Sequence, residues 1–416
     1  MDQRKLAKTI ESVFKEAPKF ASITELLVYA LEQIIANEYI EIVGGRIWKL
    51  NDKKDSYVLV GQVGDITIID PNYTLKISDV PIFVELGRNR VVMGIETDEY
   101  LKERGIHHYS AMGVGERYKI KRENQEPYIL YEYIVALNGT KLDDEFLYAL
   151  NIISTTLSSI IRSQRIESEA KENIQELRKA SEIQQSILPE HNFTFGNYDI
   201  YGISLPDKIV GGDFFDYLQT KDDDKLSVVI ADAASKGISA AVQALYVSGA
   251  LKMGIDYDIN LSTLVRKIGN LVGSTFPNER FVTLFICELY RDKKGLCVFV
   301  NAGHNSPYHY IASSGDIEEL LATGPVLGPS PDQRYRTDST YLGVGDILAL
   351  YTDGLVEAAN KNFDFFGDER LKVLIKENKD KSAKEICQII MDEVLKFSAE
   401  GQYSDDKTLV IIKRIQ

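Results

Sequence analysis

Cysteine is scarce in this chain: three in 416 residues, Cys287, Cys297 and Cys387. None forms a CxxC pair, and an odd count gives no closed disulfide framework. Buried free thiols in a reducing cytoplasm fit better. Positive charge is also short. The 48 Lys and Arg are outnumbered by 62 Asp and Glu, a formal net charge of −14. Binding to nucleic acid leans on a basic surface, and so does adhesion to an anionic membrane. Neither partner is expected. No apolar run approaches the length of a bilayer span. The opening Met1-Asp2-Gln3-Arg4-Lys5 leads into no apolar core of the kind a signal peptide carries. A cytoplasmic location is expected. Of the five histidines, His107, His108, His191 and His309 have no partner in the text and receive no role.

What is present falls into three segments, a length sufficient for two or three domains with real cores. Residues 1–142 mix helix and strand. Leu26, Leu27, Ala30, Leu31, Ile34 and Ile35 recur at helical spacing. Strand-like text follows at 40–43, 56–60, 66–69, 82–86, 91–96 and 128–136, and Asn138-Gly139 punctuates the chain. Residues 143–189 hold no Gly or Pro before Pro189, and good helix formers dominate. One or two long helices are expected. The first part, with Phe146, Leu150, Ile153, Leu157 and Ile161, is apolar enough to pack on the N-terminal domain. In the charged second part, Ile166, Ala170, Asn173, Leu177, Ala180, Gln184 and Ile187 follow alternating steps of four and three, a heptad seam with two polar interruptions. An amphipathic helix lying on its own domain is one reading. A parallel coiled-coil homodimer is preferred, because so few apolar residues support a lone helix poorly.

Residues 190–416 alternate blocks of strands (199–204, 226–231, 281–289, 296–301, 308–311, 347–350, 409–412) with blocks of helices (238–253, 261–272, 369–376, 383–397). Short turns between strands predict largely antiparallel sheets, and the block order predicts a layered α+β sandwich. Four acidic turns stand out here: Gly211-Gly212-Asp213, Ala231-Asp232-Ala233, Thr352-Asp353-Gly354 and Ser404-Asp405-Asp406. Each sets a carboxylate beside small residues near a strand end. Oxygen ligands with little bulk nearby suit Mg²⁺ or Mn²⁺ and leave room for water and a phosphate. Read singly, Gly211-Gly212-Asp213 fits a bulge and Ser404-Asp405-Asp406 an ordinary turn better than a ligand, Asp232 fits a cap equally well, and Thr352-Asp353-Gly354 also fits a tight turn. Asp213 and Asp216, three apart, would point to opposite faces of a strand. His304, in Asn301-Ala302-Gly303-His304, reads as a residue that orders its turn.

The combination is more specific than its parts. Over roughly residues 180–414 the chain closely resembles the SpoIIE/RsbU-type branch of the PPM metal-dependent protein phosphatases. The resemblance rests on Gly211-Gly212-Asp213, Asp232 with Lys236-Gly237, Phe281-Val282-Thr283, Asn301-Ala302-Gly303-His304, Gly324-Pro325-Val326-Leu327-Gly328, Tyr351-Thr352-Asp353-Gly354 and Asp405-Asp406-Lys407-Thr408. It implies an αββα sandwich with two Mn²⁺ or Mg²⁺ ions at one rim. Asp232 would bridge the ions, the Ala233 carbonyl would hold one, Asp353 and Asp405 would complete one site, and Asp213 would serve the other directly or through water. Asp216 and Asp406 would stand outside direct ligation. The implied activity is hydrolysis of phosphoserine or phosphothreonine by metal-activated water. The implied substrate is a phosphorylated STAS-type anti-anti-sigma-factor protein.

One departure is Ser235, where the branch customarily has Gly. A positive φ there would cost about 1 kcal/mol or more. The N-terminal segment resembles a GAF-type sensor in its order of elements, either ligand-binding or a ligand-free dimerisation module. The expected organisation is therefore a GAF-like α/β domain at 1–142, a helical linker at 143–189 and a phosphatase domain at 190–416. Two other readings remain at this stage: a catalytically silent protein that binds a phospho-partner, and a metal hydrolase of small phosphates.

Overall fold

The computed structural model describes residues 3–36, 42–94, 99, 103, 109–122, 126–139, 144–219, 224–257, 259–277, 279–291, 294–401 and 403–416. The chain divides into two compact units, Met1–Glu172 and Asn173–Gln416.

The first unit is built on a six-stranded antiparallel sheet in the order β3–β2–β1–β6–β5–β4. These strands span Ile42–Leu50 (β1), Ser56–Gly64 (β2), Thr74–Lys76 (β3), Val91–Gly94 (β4), Tyr109–Ile120 (β5) and Tyr128–Gly139 (β6). On one face, Leu26, Leu27, Leu31 and Ile34 of the Ile23–Ile35 helix and Phe146, Leu150, Ile153 and Leu157 pack onto Ile47, Met112, Val135 and Leu137. Ser22 caps that helix by accepting from Glu25 N, which satisfies one of the donors that a helix start leaves open. The opposite face carries Trp48, Leu59, Leu75, Ala111 and Ile134 beneath Phe83 and Leu86.

Phe83 and Leu86 correct one expectation. Residues 82–86 are not a strand but part of a helix, Ile82–Asn89, whose Phe83, Leu86 and Gly87 share one buried side. Residues 66–69 are not a strand either. The Gln62 side chain clasps the Ile69 peptide, donating to its carbonyl at 2.8 Å and accepting from its N–H at 3.2 Å. The helix Gln3–Glu16 had no sequence expectation. Ile40, Glu41, Ile95, Glu96, His107, His108 and the 142/143 boundary lie outside the described residues.

Asp144–Ile187 is a single helix of 44 residues. Along its second half most side chains are exposed, including Ile166, Ile174 and Ile183.

The second unit stacks two antiparallel sheets. One runs β15–β12–β11–β10–β9, the other β14–β13–β16–β17–β8–β7. The first comprises Phe214–Gln219 (β9), Lys225–Ala233 (β10), Val282–Tyr290 (β11), Leu296–Ala302 (β12) and Asp338–Tyr341 (β15). The second comprises Asn192–Phe195 (β7), Tyr198–Leu205 (β8), Tyr308–Ile311 (β13), Asp316–Glu319 (β14), Ile347–Tyr351 (β16) and Lys407–Arg414 (β17). Between the sheets, Phe215, Val228, Ile230, Phe285 and Phe299 meet Ile200, Leu348, Leu350, Val410 and Ile412. The helices Ile238–Gly254 and Leu261–Thr275 cover the first sheet, and Asp368–Glu377 and Ala383–Ser398 cover the second. Strands buried on both faces lose the alternating pattern; Ile347–Tyr351 is buried at every position. The result is a helix–sheet–sheet–helix sandwich. Among the described residues no helix is long and apolar enough to cross a membrane.

Candidate metal centre

The four acidic turns come together at one end of the sandwich. Asp232 lies at the end of β10, and Asp213 immediately precedes β9, its neighbour in the first sheet. Asp353 follows β16, and Asp405 precedes β17, its neighbour in the second sheet. Thr352 ties the sheets together: its hydroxyl donates to Asp213 Oδ2 at 2.6 Å and accepts from Thr408 N at 3.0 Å.

Glycines allow the approach. A Cβ on Gly212 would stand 3.1 Å from the Ala233 carbonyl oxygen and 2.9 Å from Ala240 Cβ. One on Gly354 would collide with the Asp406 carbonyl. The turns therefore need residues without side chains to bring their carboxylates together.

The electrostatics report the crowding. Asp213 is 5 % exposed, and its carboxyl is raised well above the usual range by burial first and by Asp232 next. Asp232 is pushed up to about 7, again by burial, then by Asp353, although Asp213 shares a hydrogen bond with it. Asp353 is raised by burial and by Asp405. Carboxylates that raise one another's pKa form a place where a cation is welcome. Lys236 Nζ partly answers this, 2.8 Å from Asp405 Oδ2. Asp406 turns away and holds backbone, accepting from Gly212 N at 2.6 Å and from Asp207 N at 2.8 Å.

The donor set is all oxygen, which suits a hard divalent cation. The Ala233 carbonyl lies against the Gly212 turn. Among the described residues no group of three or more candidate ligands stands in ready coordinating geometry; Asp213 is engaged by Thr352 and Asp405 by Lys236.

Asp216 points away from this cluster to Lys252, at 3.0 Å. His304 is 4 % exposed, its Nδ1 sits 2.8 Å from Thr283 Oγ1, and its backbone N–H donates to Asn301 Oδ1. Burial lowers its pKa to about 4. Its side chain reaches across to β11, while the Asn301 side chain supplies the hydrogen bond inside the turn. Ser235 is not among the residues with positive φ; Gly237, at φ +69°, takes that conformation and opens the Ile238–Gly254 helix. Ser235 Oγ instead accepts from Gln243 Nε2 at 2.9 Å.

Sequence reasoning passed over Thr352, Thr408 and Gln184 as site neighbours. Gln184, read as a seam position, grips Gly211 on both sides: its amide donates to the Gly211 carbonyl at 2.7 Å and accepts from its N–H at 3.3 Å. No local pattern marks such contacts, because the partners lie 27 residues apart.

Comparison with known proteins agrees with this architecture. The profile described as "Stage II sporulation protein E (SpoIIE)" matches residues 222–415. The chain is 30 % identical over 239 residues to the phosphoserine phosphatase RsbU of Bacillus subtilis, covering 58 % of this chain and 70 % of RsbU. It is 27 % identical over 303 residues to protein IcfG of Synechocystis, covering 66 % of this chain but only 46 % of IcfG. Among solved structures, the SiaA-PP2C domain of Pseudomonas aeruginosa aligns over 60 % of this chain and 99 % of its own, with a TM-score of 0.51 and 20 % identity. That likeness shows the PP2C fold. The chain belongs to the SpoIIE/RsbU-type family of PPM metal-dependent phosphatases. It is a serine/threonine protein phosphatase.

Proposed function

We propose that the chain dephosphorylates phosphoserine or phosphothreonine on a STAS-type anti-anti-sigma-factor protein, with two Mn²⁺ or Mg²⁺ ions. Asp232, Asp353, Asp405 and the Ala233 carbonyl would hold the ions, and Asp213 would serve the second directly or through water. When bound, the ions supply Lewis-acid charge that lowers the pKa of water and offsets charge growing on the phosphoryl oxygens. The protein's own part is to position and to hold charge. Thr352 orients Asp213. Lys236 pairs with Asp405; a cation held by Asp405 would release it, and its ammonium would then be available to a phosphoryl oxygen. Burial holds His304 neutral at pH 7, with its Nδ1 on Thr283 Oγ1. The observation that carries the reading is the gathering of Asp213, Asp232, Asp353 and Asp405 at one end of the sandwich, where burial first and neighbouring aspartates next raise Asp213, Asp232 and Asp353.

The test is Mn²⁺-dependent hydrolysis of an aryl phosphate and of a phosphorylated STAS protein, by wild type and Asp353→Asn. The expected result is loss of at least about 100-fold in the variant, the order seen when a charge-stabilising group is removed. Equal turnover would overturn the site, and equal rates on the STAS protein and an unrelated phosphopeptide would overturn the substrate.

Control by the N-terminal unit belongs to the same proposal, with a homodimer formed through that unit and the long helix. The supporting contact lies within the phosphatase unit, where Gln184 of the helix grips the Gly211–Asp213 turn. A small cleft between them is lined by Gln184, Leu188, Ser204, Gly211, Asp213 and Asp406. A rotation of the helix there would move the backbone that carries Asp213.

A further inference from the structure

The first unit contains a buried cation that has no carboxylate partner among the described residues. Arg46 on β1 is 2 % exposed. Its Nη1 donates to Asn138 Oδ1 at 3.0 Å and its Nη2 to the Thr67 carbonyl at 2.6 Å. Its Nε has no acceptor. Burial alone acts on its proton affinity, lowering the pKa to about 10 with no contribution from a carboxylate, so it stays charged at neutral pH. A desolvated charge without a counter-ion is among the most expensive groups a fold can contain.

The strand register shows what surrounds it. Gln62, Arg46, Ala136, Ala111 and Val92 oppose one another in a row across β2, β1, β6, β5 and β4. Arg46 therefore shares its face of the sheet with Trp48, Ile134 and Ala111, the face opposite the Ile23–Ile35 helix. The next two positions along the row are alanines, of which Ala136 is half-buried and Ala111 buried. The Gln62 clasp on Ile69 fixes the loop that carries the Thr67 carbonyl. Two neutral acceptors thus hold the fork in place and leave its buried Nε without an acceptor among the described residues.

We propose that this unit is a receptor for a small organic monocarboxylate. The carboxylate would pair with Arg46 at Nε, and the apolar body would lie against the half-buried Ala136. A planar carboxylate matches the guanidinium side-on. A single negative charge balances the single cation, and the Ala136 methyl favours an apolar remainder. The inference does not depend on which protein the phosphatase acts on.

The chain has one tryptophan, Trp48, two residues from Arg46 on the same face. Its emission in the full-length protein therefore reports on this face. Wild type would be titrated with butyrate, benzoate and phenylacetate at matched ionic strength, with chloride and inorganic phosphate as controls, while emission and Tm are followed. A saturable change with at least one carboxylate, absent with both controls and lost in Arg46→Met, is expected. Without carboxylate, Arg46→Met should melt no lower than wild type, since an apolar group replaces an unpaired charge. If Arg46→Met does not fold, Arg46→Lys should weaken the response at least tenfold, because it keeps the charge and loses the fork. No response from wild type to any of the carboxylates, a response to phosphate alone, or a response unchanged in the variant would overturn the proposal. A lower Tm for Arg46→Met in every buffer would assign Arg46 to holding its loop.

Discussion

Asp232→Asn should stabilise the metal-free protein while it abolishes metal dependence. Asp232 sits at about 7 in the folded chain against 3.8 for an ordinary aspartate. The folded pKa is the higher one, so as pH rises the unfolded chain releases this proton first. Metal-free stability is then untouched below both values, falls through the interval between them, and stays low above about pH 7. The gap corresponds to about 4 kcal/mol. Asp213 and Asp353 are raised as well, so the repulsion is shared, and about half of it, about 2 kcal/mol, is assigned to the variant. For a unit of this size that is about 4–8 °C in Tm. The assay is calorimetric melting in EDTA at about pH 5 and about pH 8, where the variant's advantage should open only at the higher pH. Added Mn²⁺ should reverse the order, because only wild type gains ligand-linked stability. An Asn variant that melts below wild type at the higher pH in EDTA, or a difference that ignores pH, would refute the reasoning.

Thr352→Val should cost about 2 kcal/mol, because Thr408 N loses its acceptor and Asp213 its donor; melting together with Mn²⁺ titration checks both effects. Asp346→Ala removes a buried carboxylate that serves His309 Nε2 and the N–H groups of Gly343 and Ala312. It should lower stability by about 3 kcal/mol and leave kcat/KM of the folded fraction unchanged. Gln184→Ala deletes two hydrogen bonds to Gly211, and the Mn²⁺ concentration for half-maximal turnover should shift by up to about tenfold. An unchanged metal titration would disconnect the helix from the site.

Much of the site was legible because it is written in short turns. Each of four short turns sets an aspartate beside small residues next to a strand, which marks the carboxylates without knowledge of the sheets; Thr352-Asp353-Gly354 is the one that reads as a strand ending in Asp and Gly. Positions held by distant partners were not legible. Asp406 sits beside Asp405 in sequence, yet only the fold shows that it grips the Gly212 backbone. In the first unit the Ile82–Asn89 helix was mistaken for a strand because Ile82, Phe83 and Val84 are favoured in sheets; burial of Phe83, Leu86 and Gly87 on one side overrides that preference. The Gln62 clasp likewise turns the apolar 66–69 run into a loop.

The strand Lys407–Arg414 is inserted between β16 and β8, at the middle of its sheet. Thr408 Oγ1 meets Ser204 Oγ across a separation of 204 residues. On the ribosome, β8 emerges long before its partner exists. Until residue 414 is synthesised, two inner strand edges wait unpaired, which is when association with other nascent chains is easiest. A message truncated ahead of Lys407 would yield a chain whose second sheet cannot close, and a quality-control protease should find it sooner than it finds most point mutants.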